Sequence, residues 1–272
     1  MKDRTRSKRL FLLAVTLVLA TVLGTAGLSY AISNGQPDDD GHPYVAAVGG
    51  LVNGEWFFCS AAAISPTILV TAAHCFETPG QEVLITFDPE GPVDPESDIV
   101  LGHWFPHLGF CLGCGPGLPG FDTNDVAVVV LDQPFLLNEY AELPTEGLVD
   151  TLPMGTEVTV VGYGVQEFTR GGGPPQRVFS MTRYFAPSKL IASKHKHSDE
   201  YIKLTANPAQ GKGGVCFGDS GGPDLLEEEG GTATILAVNS YGANANCTGV
   251  SYSNRIDTRS ALDFVLYYFG AN

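Results

Sequence analysis

The chain reads as an all-β protein, a barrel or sandwich that ends in a single helix, and three observations carry that reading. Short apolar stretches rich in Val, Ile and Thr recur along the sequence, separated by clusters of Gly, Pro and Asn. No segment repeats at a fixed period. Only the last apolar stretch changes its spacing, with apolar residues at 261, 262, 265, 266, 268 and 269, which suits a helix. The strand candidates in order are YVAAVGGLV (44–52), AAISPTILVTAA (62–73), EVLITF (82–87), DVAVVVL (125–131), EVTVVGYG (157–164) and ATILAVNSYG (233–242). The terminal helix is DTRSALDFVLYYF (257–269), with Ser260 or Thr258 as its cap. The loop LPTEGLVDTLPMGTE (143–157) divides two halves, and GGGPP (171–175) is a surface loop by composition.

The first 31 residues differ from the rest. Lys2, Arg4, Arg6, Lys8 and Arg9 form a basic start, residues 10–23 (LFLLAVTLVLATVL) are almost wholly apolar, and GTAGLSYA follows with small residues at Ser29 and Ala31. This is the layout of a secretory signal peptide over residues 1–31. The apolar run of 14 is short of the roughly 20 residues a membrane span needs. The mature chain, 32–272, is therefore expected outside the cell and free of the membrane. Six cysteines suit an oxidising compartment, although sequence alone leaves fifteen ways to pair them. The net charge of −15 becomes more negative when the basic leader is removed. So acidic a surface excludes nucleic acid and anionic membrane as partners and serves solubility.

One stretch asks for chemistry. GVCFGDSGGPDLL (214–226) sets Ser220 among glycines. A serine hydroxyl is a weak nucleophile until a neighbouring base takes its proton. Of the six histidines, His74 in LVTAAHC stands at the end of a β-type run beside a cysteine, a rigid setting for an imidazole. Asp125, opening DVAVVVL, is a carboxylate at the edge of an apolar strand, placed to orient that imidazole.

LVTAAHC around His74, TNDVAVVVL around Asp125 and GDSGGP around Ser220 resemble, in this order, the three signatures of the chymotrypsin-like (trypsin-family) serine peptidases. The resemblance covers nearly all of residues 32–272. It implies two packed six-stranded Greek-key β-barrels with a C-terminal α-helix, the first over about 32–150 and the second over about 151–272. It implies a monomeric endopeptidase acting on protein or peptide substrates. Ser220 would attack the scissile carbonyl, His74 would move the proton, and Asp125 would hold the His74 tautomer. The backbone N–H groups of Gly218 and Ser220 would form the oxyanion hole, and a residue without Cβ at 218 turns its amide inward without strain. Ser240, Tyr241 and Gly242 look like the edge segment that pairs with the substrate backbone.

The resemblance also pairs Cys59 with Cys75 beside the histidine and Cys216 with Cys247 beside the specificity pocket. Cys111 and Cys114 remain, in HLGFCLGCGPG. Their CxxC spacing, with His107 nearby, fits a redox or metal site; a local disulfide tightening a Gly-rich loop over the cleft is the reading preferred for an exported chain. Family members begin with an Ile-Val-Gly-Gly type segment, whose new α-ammonium pairs with the Asp before the nucleophile. The matching residues here are Ile32-Ser33-Asn34-Gly35 and Asp219, and cleavage after Ala31 would itself create that terminus. Lys/Arg-specific members carry an Asp six residues before the nucleophile. Gly214 stands there, and with Val215 and the wall residues Gly242 and Gly249 it suggests an uncharged pocket.

Other features read as ordinary. His195 and His197 form an H-x-H pair in a polar loop, and His42 and His103 are surface or packing residues. No cofactor and no metal site are expected. The acidic stretch DPEGPVDPESD (88–98) offers Asp88, Glu90, Asp94, Glu96 and Asp98 as oxygen ligands for a structural calcium, but two prolines favour a solvated loop. GDSGG also matches the G-x-S-x-G elbow of α/β-hydrolases, which needs a histidine after the serine; the last is His197, so that reading fails. The remaining alternative is a non-catalytic binding homologue on the same fold.

Overall fold

The computed structural model describes residue 32 and residues 35–91, 98–115, 122–165, 167–169, 176–178, 180–196, 198–207, 213–228 and 232–271. The leader, residues 33 and 34, the GGGPP loop, His197, and Asp94 and Glu96 of the acidic stretch lie outside these residues.

Alternation and tight turns build the first half. Strand β1 (Gln36–Pro37) is followed by β2 (Val45–Val52), β3 (Glu55–Ala63), β4 (Ile68–Thr71), β5 (Gln81–Thr86), β6 (Val100–Pro106) and β7 (Ala127–Leu131). Asn53 and Gly54 join β2 to β3 with φ of 53° and 82°. Positive φ at both central residues is the two-residue turn whose twist matches paired strands, and Asn-Gly favours it. Strands β2 to β7 close in the order β2-β3-β4-β7-β6-β5.

The second half repeats that order. Its strands are β8 (Glu157–Gly162), β11 (Tyr184–Ala192), β12 (Tyr201–Ala206), β13 (Pro223–Leu226), β14 (Thr234–Gly242) and β15 (Gly249–Arg255); β9 (Glu167–Thr169) and β10 (Gln176–Val178) form a separate pair. They run β11-β12-β15-β14-β13-β8, and pairing of β8 with β11 closes the ring. The fold is therefore two six-stranded antiparallel barrels of Greek-key order, all-β but for short turns and the terminal helix. β1 crosses over and pairs with β11 of the second barrel.

The terminal helix spans Arg259–Ala271. Thr258, not Ser260, caps it: the Thr258 hydroxyl accepts the Ala261 N–H at 3.3 Å, while Ser260 Oγ donates to Asn124 at 2.9 Å. Ala261, Leu262 and Val265 pack into the core of the first barrel, so the end of the chain braces its beginning. Among the described residues no helix is long and apolar enough to cross a membrane.

A buried charged cluster joins the two barrels. Arg183 is 0% exposed. Its Nε donates to Asp38 Oδ2 at 2.7 Å, and its Nη1 donates to the carbonyls of Val45 (3.0 Å) and Phe87 (2.9 Å). The His42 ring bridges Asp38 and Glu227, so His42 packs inside rather than lying at the surface. Replacing one partner of such a pair leaves the other buried and uncompensated. Arg183→Met should therefore destabilise the protein by about 3–5 kcal/mol, read as a lower urea midpoint. An unchanged midpoint would show that the cluster does not hold the barrels together.

Candidate active site

The end of β4 delivers His74 to the seam between the barrels. After Thr71 the chain makes one 3-10 turn, Ala73–Cys75, and the disulfide Cys59–Cys75 fastens that turn to β3. Asn124 takes φ 48° just ahead of β7, and Asp125 follows with 0% exposure. Asp125 Oδ1 accepts the backbone N–H of His74 at 2.9 Å, and Oδ2 lies 2.8 Å from His74 Nδ1. Ser240 Oγ, from β14, donates to the same Oδ2. The imidazole keeps an exposed edge while its partner is sealed away.

Burial works against charge on both groups, and their mutual attraction overrides it. Asp125 is held below the usual carboxylate range by the His74 charge and by hydrogen bonds from His74 and Ser240. His74 is pushed above the ordinary imidazole value by Asp125 and, more weakly, by Asp122. Asp122, His74 and Asp125 place ligand-type atoms within 4.8 Å of one another. Sequence reading missed Asp122, although it stands three residues before Asp125.

Ser220 reaches the same place from the second barrel. Its carbonyl accepts the Ser60 N–H at 2.8 Å, which registers the loop that carries Ser220 against β3. The glycines around it answer to space. Gly218 has φ 97° and Gly221 has φ 79°, where a side chain is strained. A Cβ on Gly221 would also collide with Thr71 Oγ1 and approach the Ser60 carbonyl to 2.5 Å. Asp219 turns inward, its two oxygens accepting the N–H groups of Gly164 and Cys216, each at 2.8 Å. Burial raises its pKa to about 7, although those two amides pull it down. Ile32 is wholly buried in the interior of the second barrel with Val158, Val160 and Val215.

A cleft of about 720 Å³ runs between the barrels, and His74, Gly218, Ser220, Ser240, Tyr241 and Gly242 all line it. Val215 and the Cys216–Cys247 disulfide wall one end. Gly214 and Gly249 are not on this lining. Gly214 is closed off: a Cβ there would collide with Ala206 and come within 3.2 Å of the Cys247 carbonyl, so no acidic side chain fits. Cys111 and Cys114 are bonded to each other.

A further acid is buried in the second barrel, on β13 between β8 and β14. Asp224 on β13 is 0% exposed, and among the described residues neither carboxylate oxygen has a partner within ordinary hydrogen-bond distance. Burial raises its pKa to about 8, and nearby Ser253 offsets this only partly. The apolar strand pattern of PDLL hides it in the sequence.

A family model described as Trypsin matches residues 32–264. Phenoloxidase-activating factor 3 of Holotrichia diomphalia is 26% identical over 217 residues, 71% of this chain and 59% of that protein. A trypsin of Sarcophaga bullata is 26% identical over 248 residues, covering 89% of this chain and 91% of its own. Among solved structures, HL collagenase superposes with a TM-score of 0.63 at 18% identity over 84% of this chain and 94% of its own, a likeness of fold alone.

Proposed function

Because this chain belongs to the trypsin family, we propose that it is a secreted serine endopeptidase that cleaves protein or peptide substrates through an acyl-enzyme. The observation that carries this reading is the His74–Asp125 pair, 2.8 Å apart, at the edge of a cleft that Ser220 also lines. With Nδ1–H directed at the Asp125 carboxylate, Nε2 is left as the base. Ser220 Oγ attacks the scissile carbonyl as its proton passes to Nε2, and the imidazolium then protonates the leaving amine. Water repeats the sequence to release the acid. The amides of Gly218 and Ser220 meet the oxyanion, a contribution of roughly 3 kcal/mol for each donor. Ser240, Tyr241 and Gly242 pair with the substrate backbone.

The pocket beside Cys216–Cys247 takes an uncharged side chain. Closure of the Gly214 position supports this, because a cationic side chain would lose its hydration there without gaining a carboxylate. Signal cleavage before Ile32 supplies the active terminus, and Asp219 receives its ammonium. The buried Ile32 side chain supports that placement.

A fluorophosphonate probe tests the reading. The processed protein should be labelled and Ser220→Ala should not. A folded chain starting at Ile32 that takes no label would instead be a binding homologue.

A further inference from the structure

Cys111 and Cys114 are bonded across a tight turn that follows β6. The Cys114 N–H points to the Cys111 carbonyl at 3.5 Å, and Gly113 takes φ 68° inside the turn, where a side chain is strained. The turn is held against the residues that lead into Asp125. Cys111 and Thr123 exchange backbone hydrogen bonds of 3.2 Å and 3.1 Å. The Gly113 N–H donates to Asp122 Oδ1 at 2.6 Å. The Asp122 carboxylate in turn lies within 4.8 Å of ligand-type atoms of His74 and Asp125. One hydrogen bond and one side chain therefore separate the turn from the His74–Asp125 pair.

This bridge is also the one most open to solution. Cys114 is exposed and Cys111 half-buried, whereas Cys59, Cys75, Cys216 and Cys247 are each at most 6% exposed. It spans 3 positions, against 16 and 31 for the other two bridges. A short loop gains least from being cross-linked, and an exposed bridge admits an attacking thiolate. Neither cysteine lines the cleft. Both His107 nitrogens are engaged elsewhere, with the Gly109 N–H and with Ser260, so that ring does not join the two cysteines.

We propose that Cys111–Cys114 is a site of thiol–disulfide exchange that takes a dithiol as co-reactant, and that its reduction lowers turnover by releasing Asp122 from the turn. The control of turnover rests on the peptidase reading above, and the exchange site does not. A thiolate of the dithiol attacks the Cys114 sulfur, the S–S bond breaks, and Cys111 leaves as a thiolate. The second thiol then displaces Cys114. Two electrons and two protons thus pass to the cysteines, and the dithiol leaves as its cyclic disulfide. With the bridge open, the turn itself keeps only its 3.5 Å bond, and the Gly113 amide no longer stays on Asp122. That amide favours the charged form of Asp122 against burial, and Asp122 favours the charged form of His74. The imidazolium that forms during acyl transfer loses this support.

Limited reduction with dithiothreitol, followed by thiol trapping, tests both parts on the processed protein. Cys111 and Cys114 should be trapped first, with the other four cysteines still bonded. Hydrogen exchange at the Gly113 and Thr123 amides should then quicken. The kcat on an N-acyl-leucine ester should fall about tenfold, the scale on which small misplacements act, and return on reoxidation. Cys111→Ser/Cys114→Ser should show the lowered kcat with or without the reductant. Trapping of any other cysteine before this pair overturns the exchange site. An unchanged kcat once the pair is trapped, or a double variant with full kcat, overturns the control of turnover. Oxidised wild type that never turns over the ester overturns the peptidase reading and the control of turnover with it, while trapping still decides the exchange site.

Discussion

Asp125→Asn should leave KM within about threefold and lower kcat by about four orders of magnitude, the scale of loss when a triad carboxylate is amidated in other enzymes. The reason lies in how the carboxylate is held. Oδ1 accepts the His74 backbone N–H at 2.9 Å, so in an asparagine the amide oxygen must occupy that position. The NH2 group then faces His74 Nδ1, where Oδ2 stood at 2.8 Å. Nδ1 becomes the acceptor, the ring proton moves to Nε2, and Nε2 can no longer take the proton that the proposed mechanism draws from Ser220. The Ser240 hydroxyl, which donates to Oδ2 in the native chain, turns to accept from the new amide and reinforces the wrong tautomer. The substrate strand and the pocket walls are untouched, so binding should persist. The pH profile gives a second readout. His74 is active when neutral, and Asp125 raises its pKa, so the acid limb of kcat/KM in the variant should move to lower pH. A loss of kcat under tenfold would remove Asp125 from the mechanism.

Much of this site can be chosen from local words, since VTAAHC closes an apolar run on His74, NDVAVVVL opens one on Asp125, and GDSGGP sets Ser220 among glycines. The groups that meet them from elsewhere cannot. Ser240 touches Asp125 from 115 positions away, and nothing in VNSYG announces it. The Asp38–Arg183 pair, 145 positions apart, is equally silent, because isolated charged residues read as surface until the fold buries them. Strand detection failed for physical reasons as well. β6, VLGHWFP, mixes Gly, His and Pro into a run that pairs on both edges, with β5 and with β7. β13 opens on Pro223 and carries Asp224 into the barrel. β3 could have been found: Asn53-Gly54 after an apolar stretch is a strong hairpin signal, and the strand begins at the next residue. The C-terminal helix was visible from its period, but its docking on the first barrel was not, because period reports which face is apolar and not what covers it.

The chain beginning at a free Ile32 should be markedly more stable at pH 8 than the same chain with that amine acetylated, and only the free form should be active. Asp219 is the cause. In the buried site its pKa rises from 3.8 to about 7, because burial penalises the carboxylate and only two amides support it. A carboxyl raised by about three pKa units costs on the order of 4 kcal/mol to ionise in the folded state. The sign follows from proton binding. Below about pH 4 the group is protonated in both states and costs nothing. As pH rises toward 7 the unfolded chain releases its proton and the folded chain does not, so stability falls across that window and levels off above it. An ammonium at Ile32 supplies the missing cation, lowers the folded pKa and removes the fall. The charge then holds the loop that carries Gly218 and Ser220, which ties stability to activity. Asp224, raised to about 8, gives a similar decline in both forms, so the comparison is best made in an Asp224→Asn background. Urea midpoints between pH 4 and pH 8 should then decline for the acetylated form, stay level for the free amine, and stay level for Asp219→Asn whether acetylated or not. Parallel curves for the free and acetylated chains would show that the Ile32 amine never reaches Asp219.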